Sequence, residues 1–536
     1  MTGNPFQKRE MVVCSVILLI MSLVFHSCGK QQQYNLIYIS LDTTRFDFVN
    51  TGKGARANTP ELKRFSRTAV VMDRAYATIP QTLPSHLSIL TSRFPHELGV
   101  LANENEYDGR FRMLQEVLNE RGYHTAGVIS LGSVSGKTGI SRGFDEYNES
   151  LFTPNRFYVK GDLISKTAAD MLDKIKNKPF FMFVHYSDPH SPYGTPDMKS
   201  EFNISLNGRI VRNFNAYEGS LLRLEIPLTK GWHTLDFSTD MPENDYNFFI
   251  IRRLALSKNC SIKSTNIEYS KRHYEGSYLL RKPRGRLTVY CQGDGLITLF
   301  QIIPILSKEA AVTCYSGEVE FLDRQVGKFL HHLEKRALLD KTIIAIFADH
   351  GEGLGERDAY FGHVRYLNQQ FIHVPLMIRF PGVSRKRIQK PVSLIGITPT
   401  VLDFMGITDH GIRNTENWTP LIRKRNASWN RPVLSFAFQP SSVTDKLSVI
   451  QWPFQAIYAP ASHKSPAREF YNLNISQSFS RFDRIEKNVM ITSSSKQYRY
   501  LINETRNHKQ IFLKKHPLVM VNAGCIENLK ALGYIK

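Results

Sequence analysis

Leu36-Ile37-Tyr38-Ile39-Ser40-Leu41-Asp42 is a short, nearly unbroken apolar run closed by a carboxylate. Ile343-Ile344-Ala345-Ile346-Phe347-Ala348 repeats the pattern and closes on Asp349-His350. Runs of this kind lack the alternation of a half-exposed strand. They read as strands buried on both faces, as in the parallel sheet of an α/β protein. Ligands of such sheets gather at the carboxyl ends of the strands. Asp42, Asp349 and His350 are therefore placed where chemistry is expected, although an Asp after a strand also serves as a cap or turn residue.

A third stretch, Thr82-Leu83-Pro84-Ser85-His86, runs on into Leu87-Ser88-Ile89-Leu90-Thr91 with helical apolar spacing. Proline is favoured in the first turn of a helix. The Thr82 hydroxyl then lies near the positive end of that helix, where bare N–H groups attract anions. Such an oxygen is able to attack a phosphate or sulfate ester, and is equally suited to capping the helix. Two Asp, one His and a hydroxyl make a reasonable site for one divalent metal. The carboxylates supply charge and the His suits zinc, with manganese or calcium as alternatives.

The order of these pieces resembles the sulfatase family of the alkaline phosphatase superfamily. Matching stretches include residues 37–45, Thr59-Pro60-Glu61-Leu62, 82–99, Gly122-Tyr123-His124-Thr125-Ala126 and Arg142-Gly143-Phe144-Asp145. They continue through 183–193, 317–330, 342–356 and 374–382, and Leu529 to Tyr534 resembles the tail of many bacterial members. The resemblance implies an α/β sandwich with a large mixed sheet flanked by helices and a small C-terminal α+β subdomain. It also implies a metal bound by Asp42, Thr82, Asp349 and His350. His190 is placed beside the leaving-group oxygen, where a His donates a proton near neutral pH. His363 is placed facing the anion. Arg45 either holds the anion through its guanidinium or pins the first strand loop by a salt bridge, and His185 reads as a packing residue at a strand end.

The departures narrow the chemistry. Family sulfatases carry Cys or Ser at the position of Thr82 and oxidise it to formylglycine. Thr cannot yield that aldehyde, because its β-carbon bears a methyl group. The family has Arg where this chain has His86, and Thr43 replaces an early metal Asp. A Thr nucleophile with Asp-His on the metal resembles phosphoethanolamine transferases of bacterial envelopes. Three functions follow: a metal-dependent hydrolase of sulfate or phosphate esters, an envelope phosphotransferase, or a binding protein on a decayed sulfatase fold. The complete set of site residues favours the first over the third. The second usually carries several membrane spans, and this sequence offers at most one.

Lys8-Arg9, the apolar stretch Met11 to Phe25 and then His26-Ser27-Cys28 read as a secretory signal of residues 1–28. Ser27-Cys28 resembles a lipoprotein cleavage site, which predicts a lipid on Cys28 and an exported, periplasmic or cell-surface protein held at the membrane. Plain secretion and an uncleaved anchor are the alternatives. The net charge of +21 favours anionic partners, such as an acidic glycan or lipid headgroup. Export makes nucleic acid an unsuitable partner.

The catalytic domain is expected over 33–200 and 309–410, with the remainder, 411–536, as the C-terminal subdomain. Between 201 and 308 the pattern changes to alternating strands punctuated by Gly231, Gly285 and Gly293-Asp294-Gly295. That predicts an inserted antiparallel β module. Cys260 and Cys291 are able to pair there in an oxidising compartment, and Trp232, with several tyrosines, reads either as part of the module's core or as a glycan platform. A helix over 316–335 is expected before the strand that carries Asp349.

Overall fold

The computed structural model of this 536-residue chain describes residues 33–473, apart from short stretches that include 191–192, 194–200 and 357–361. The signal and lipid expectations at residues 1–28, and the tail resemblance at 529–534, lie outside the described residues. Among the described residues no helix is long and apolar enough to cross a membrane.

The run that opens the sequence argument forms the strand Asn35–Leu41, buried along its whole length. It lies inside an eight-stranded sheet. In order across the sheet the strands are Lys386–Ile388, Val70–Met72, Leu376–Arg379, Thr342–Phe347, Asn35–Leu41, Phe180–Tyr186, His124–Val128 and Glu146–Asn148. The Asn35–Leu41 strand is parallel to both neighbours. Leu376–Arg379 runs antiparallel to Thr342–Phe347, so the sheet is mixed.

Alternate residues of the central strand meet different helical layers. On one face Tyr38 bonds Thr398 of the helix Ile397–Phe404, and Ser40 bonds His86 of the helix Thr82–Thr91. On the other, Tyr186 meets Ser165 of the helix Gly161–Lys174, and Ser165 Oγ donates to the Gln325 carbonyl of the helix Lys308–Lys335. Both faces are therefore covered, which is why the strands read as continuous apolar runs. Ile37, Ile39, Ile344 and Ile346 are fully buried. Each contributes about 1.5–3 kcal/mol by leaving water, and truncating one to Ala would cost about 2–5 kcal/mol.

The helix Thr82–Thr91 is buried at all ten positions. Its polar side chains are satisfied locally: Ser88 Oγ donates to the Pro84 carbonyl and Thr91 Oγ1 to that of Leu87. A buried helix can carry such residues only when they are hydrogen-bonded. Ser92 ends it in the left-handed conformation, with φ 55°.

Residues 201–305 form their own sheets: five strands, four strands and three strands. Phe202, Leu235, Phe237, Leu287, Val289 and Ile297 pack into a core separate from that of the large sheet. Cys260 and Cys291 form a disulfide across paired strands. Of the two readings of Trp232, the core one is corrected: the residue is 64% exposed, because it occupies the outward register of Gly231–Thr239 while His233, Leu235 and Phe237 point inward. The expected helix over 316–335 begins earlier, at Lys308. A four-stranded antiparallel sheet of Val433–Ala437, Lys446–Gln451, Phe454–Tyr458 and Arg468–Asn472 follows toward the C-terminus.

Candidate active site and metal centre

The register of the sheet builds the site. Ser40 lies opposite Phe347 in a parallel pair. Carried two residues forward, that register brings Asp42 and Asp349 side by side at the carboxyl edge. Asp42, Asp349 and His350 are fully buried and place one ligand atom each within 4.8 Å of one another. Asp349 Oδ1 accepts the N–H groups of His350 at 2.9 Å and Thr43 at 3.3 Å. Thr43 makes its contact from a left-handed backbone, φ 57°, which is costly for a β-branched residue and is held by the Tyr315 hydroxyl donating to the Thr43 carbonyl. Asp349 Oδ2 and Asp42 Oδ1 have no hydrogen-bond partner among the described residues.

His350 fixes the character of this pocket. Its Nδ1 is 2.9 Å from the Gly351 carbonyl, so Nδ1 carries the proton and Nε2 presents a lone pair. That lone pair faces Asp349 Oδ2 at 3.3 Å and Asp42 Oδ1 at 3.7 Å. Burial raises the carboxyl of Asp42, but His185, His350 and His190 outweigh it and hold Asp42 below the usual range. Burial and the neighbouring Asp42 push Asp349 well above it. Burial, then His363, holds His350 neutral. Asp349 therefore holds its proton when no cation is bound, and a divalent cation between Asp42, Asp349 and the imidazole lone pair would displace that proton. The donor set thus fits a divalent metal. Gly351 is required beside it, since a Cβ there would meet the Gln370 carbonyl oxygen at 2.0 Å.

Thr82 opens its helix one residue after the N-cap position, which is held by Gln81. The capping role is therefore not the one Thr82 plays. The N–H of Leu83 donates to Asn103 Oδ1 at 2.8 Å. Thr82 Oγ1 faces the acidic cluster instead, 3.5 Å from Asp42 Oδ2 and 3.5 Å from His350 Nε2. Ser85 Oγ, one turn on, donates to the Asp349 carbonyl and ties the helix to the strand end.

Beneath these groups lies a floor that sequence reasoning largely missed. His86 Nδ1 lies 2.7 Å from the Thr82 carbonyl and must donate to it, so Nε2 accepts from Ser40 Oγ at 2.7 Å. Burial pushes the His86 imidazole down to about 3, and so keeps it neutral. His185, expected only to pack, lies with its Nε2 3.3 Å from Asp42 Oδ2. The sequence carried a signal only for His86, one helical turn beyond Thr82; His185 is tied to the site by the sheet register, which makes it the partner of Ser40.

His190 and His363 gather above the cluster. The His363 ring lies 4.2 Å from that of His350 and 5.4 Å from that of His190, and its Nδ1 is 3.3 Å from Glu352 Oε1. Arg45 does not join them. Its Nε and Nη2 each donate to Asp47 at 2.9 Å, and Nη1 donates to Glu356 at 2.7 Å. Burial alone would lower the guanidinium pKa; Asp47 and Glu356 more than offset it. Of the two roles open to Arg45, anion holding is the one the geometry corrects: the side chain is spent in a fully buried carboxylate clamp.

A sequence profile of the sulfatase family matches residues 34–407, which takes in every residue of this site. The chain belongs to the sulfatase family. The N-acetylglucosamine-6-O-sulfatase of Bacteroides thetaiotaomicron is 25% identical over 419 residues, covering 73% of this chain and 72% of that protein. The choline-sulfatase of Rhizobium meliloti is 28% identical over 145 residues, 27% of this chain and 28% of that one. Among solved structures, one of a protein in complex with its substrate D-glucosamine-2-N,6-O-disulfate aligns with a TM-score of 0.60 at 16% identity. It covers 90% of this chain and 99% of that chain. The phosphonate monoester hydrolase of Silicibacter pomeroyi aligns with a TM-score of 0.57 at 15% identity, covering 91% and 97%. The likeness in structure establishes the α/β fold with its large mixed sheet, and the family makes the protein a sulfatase-family hydrolase.

Proposed function

We propose that this sulfatase-family protein hydrolyses a sulfate or phosphate ester of an anionic glycan outside the cytoplasm, with Thr82 as the nucleophile. The observation that carries the reading is the position of Thr82 Oγ1, buried and 3.5 Å from both Asp42 Oδ2 and His350 Nε2. Asp42, Asp349 and His350, with Thr82 Oγ1, would hold one divalent metal. When bound, the metal supplies positive charge that lowers the pKa of a nearby hydroxyl and steadies the anionic ester.

Thr82 Oγ1 attacks the central phosphorus or sulfur, forming an Oγ1 ester as the bond to the leaving oxygen breaks. His190 donates a proton to that oxygen. Asp42 Oδ2, near Oγ1, is placed to receive the Thr82 proton. Water then attacks the Thr82 ester, giving a proton back to His190, while the bond to Thr82 Oγ1 breaks and Asp42 returns its proton to that oxygen, freeing the inorganic anion and restoring the hydroxyl. His363, held at Nδ1 by Glu352, faces the anion. The helix Thr82–Thr91 aims its positive end at the same point. No part of this route uses formylglycine.

The class of substrate draws on the relatives that act on sulfated sugars and on the related phosphonate monoester hydrolase. Export is supported by the signal-like segment ending at Cys28 and by the Cys260–Cys291 disulfide, which suits an oxidising compartment. A panel of aryl sulfate, aryl phosphate and phosphodiester, assayed with added zinc, manganese or calcium, tests the reading. We expect turnover of at least one class by the wild type, a loss of at least about a thousandfold in Thr82→Ala, and partial activity in Thr82→Ser. Full activity in Thr82→Ala would remove Thr82 as nucleophile.

A further inference from the structure

The outward face of the five-stranded sheet in the 201–305 region presents an aromatic pair far from the chain's buried chemistry in sequence. Trp232 and Tyr290 are direct register partners on Gly231–Thr239 and Arg284–Cys291. Their rings lie 5.0 Å apart at 54°. Trp232 is 64% exposed, and Tyr290 is half-buried. Nothing in the core needs either ring on this side, since Leu235, Phe237, Leu287 and Val289 fill the inner face. Ile210, also 64% exposed, pairs with Ser205 on the same sheet.

The surroundings of the pair define its chemistry. The next register row is Thr234 with Thr288, both partly exposed hydroxyls. Beyond it Asp236 faces Arg286 and is ion-paired with it. Exposed Arg284 follows, and Lys263 Nζ lies 6.0 Å from the Tyr290 ring centroid. The one carboxylate in these rows is neutralised by its Arg partner, so the face is net cationic. Flat ring faces beside rows of hydroxyls match a sugar ring, which has an apolar C–H face and a hydrogen-bonding rim. The cations match acidic substituents on that sugar. The Cys260–Cys291 disulfide ties the strand of Tyr290 to the neighbouring strand Cys260–Thr265, next to Tyr290, which restrains that side of the platform and lowers the entropy lost on binding.

We propose that Trp232 and Tyr290, with Lys263 beside them and Arg284 three outward-facing register rows further along the same strand pair, form a binding surface for an anionic polysaccharide, separate from the hydrolytic site. The polymer class rests on the proposed function; the existence of the surface does not. Held there, a chain of repeating units stays near the enzyme and raises the local concentration of ester groups.

Affinity electrophoresis of the full chain through gels containing dextran sulfate, chondroitin sulfate or carrageenan tests this, with uncharged dextran as control. We expect retardation by at least one sulfated polymer and none by dextran. Trp232→Ala and Tyr290→Ala should each weaken binding at least fivefold, and Lys263→Ala should weaken it less, with hydrolysis of a small aryl ester unchanged. No retardation of the wild type, or equal retardation of the wild type and Trp232→Ala, overturns the proposal. So does a loss in Trp232→Ala that appears only with anionic phospholipid vesicles. Polymer binding that needs Trp232 in a protein that hydrolyses no ester would retain this surface while removing the proposed function. Ester hydrolysis with no polymer binding would do the reverse.

Discussion

Thr82 Oγ1 lies 3.5 Å from His350 Nε2, and the hydrogen bond from His350 Nδ1 to the Gly351 carbonyl turns the Nε2 lone pair toward that hydroxyl. The two residues come from elements 268 positions apart, joined because the helix bearing Thr82 covers the carboxyl edge of the strand that leads to His350. A lone pair, a hydroxyl oxygen and two carboxyl groups converge, with Asp42 Oδ1 and Asp349 Oδ2 lacking hydrogen-bond partners among the described residues. The arrangement is strained as a hydrogen-bonded core and suited to a cation.

Asp349→Asn separates these two descriptions. The amide oxygen of the variant would still accept the N–H groups of Thr43 and His350, and the amide nitrogen would donate toward Asp42 Oδ1 and His350 Nε2. In chelator the variant should match the wild type to within about 1 kcal/mol, because Asp349 already holds a proton there and the amide reproduces the neutral carboxyl. With zinc or manganese the wild type should become the more stable of the two, since it gains the larger binding energy. Thermal unfolding with and without metal, and elemental analysis, read both arms. Equal metal content in the two proteins would take Asp349 out of the ligand set.

Arg45→Lys addresses the residue whose role the sequence left open. Lysine keeps the charge but cannot bond Asp47 through two nitrogens while reaching Glu356 with a third. Breaking this buried clamp should cost about 2–4 kcal/mol of stability. The KM for an anionic ester should stay within about twofold of wild type, because the guanidinium points away from the anion. A KM raised more than tenfold, with stability unchanged, would return Arg45 to the site.

The sequence showed the ends of the site better than its floor. Asp42, Asp349-His350 and Thr82 each sit at the end of a strongly patterned run, so strand and helix periodicity alone placed them. The eight-stranded sheet was foreseeable in class because its central strands are buried on both faces and carry no alternation. His185 and His86 were harder. Each lies inside its element, where an imidazole looks like any other buried residue, and their roles appear only when the sheet register brings Ser40, His185 and His86 together. Arg45 needed Glu356, 311 residues away, to reveal its clamp. The sequence left Trp232 open between core and surface for a related reason: a tryptophan in an alternating strand suits either face, and the phase is set by Leu235 and Phe237, which took the core.

Glu104 offers a test by pH. It lies beside Asn103, which binds the first turn of the Thr82 helix, and it is nearly buried, with Oε2 lacking a hydrogen-bond partner among the described residues. Burial pushes its carboxyl up to about 7, from an ordinary value of 4.5. Between those values the folded protein holds a proton that the unfolded chain has released. The stability this gives is fully present below about 4.5 and is lost as pH rises through about 7. The shift corresponds to about 3 kcal/mol. Glu104→Gln keeps the shape of the protonated side chain without the titration. It should match the wild type near pH 4.5 and exceed it by about 2–3 kcal/mol at about pH 8. Urea unfolding at several pH values gives the difference between the two proteins, so other carboxyls common to both cancel. A difference that stays constant with pH would show that Glu104 is ionised in the folded state throughout the range.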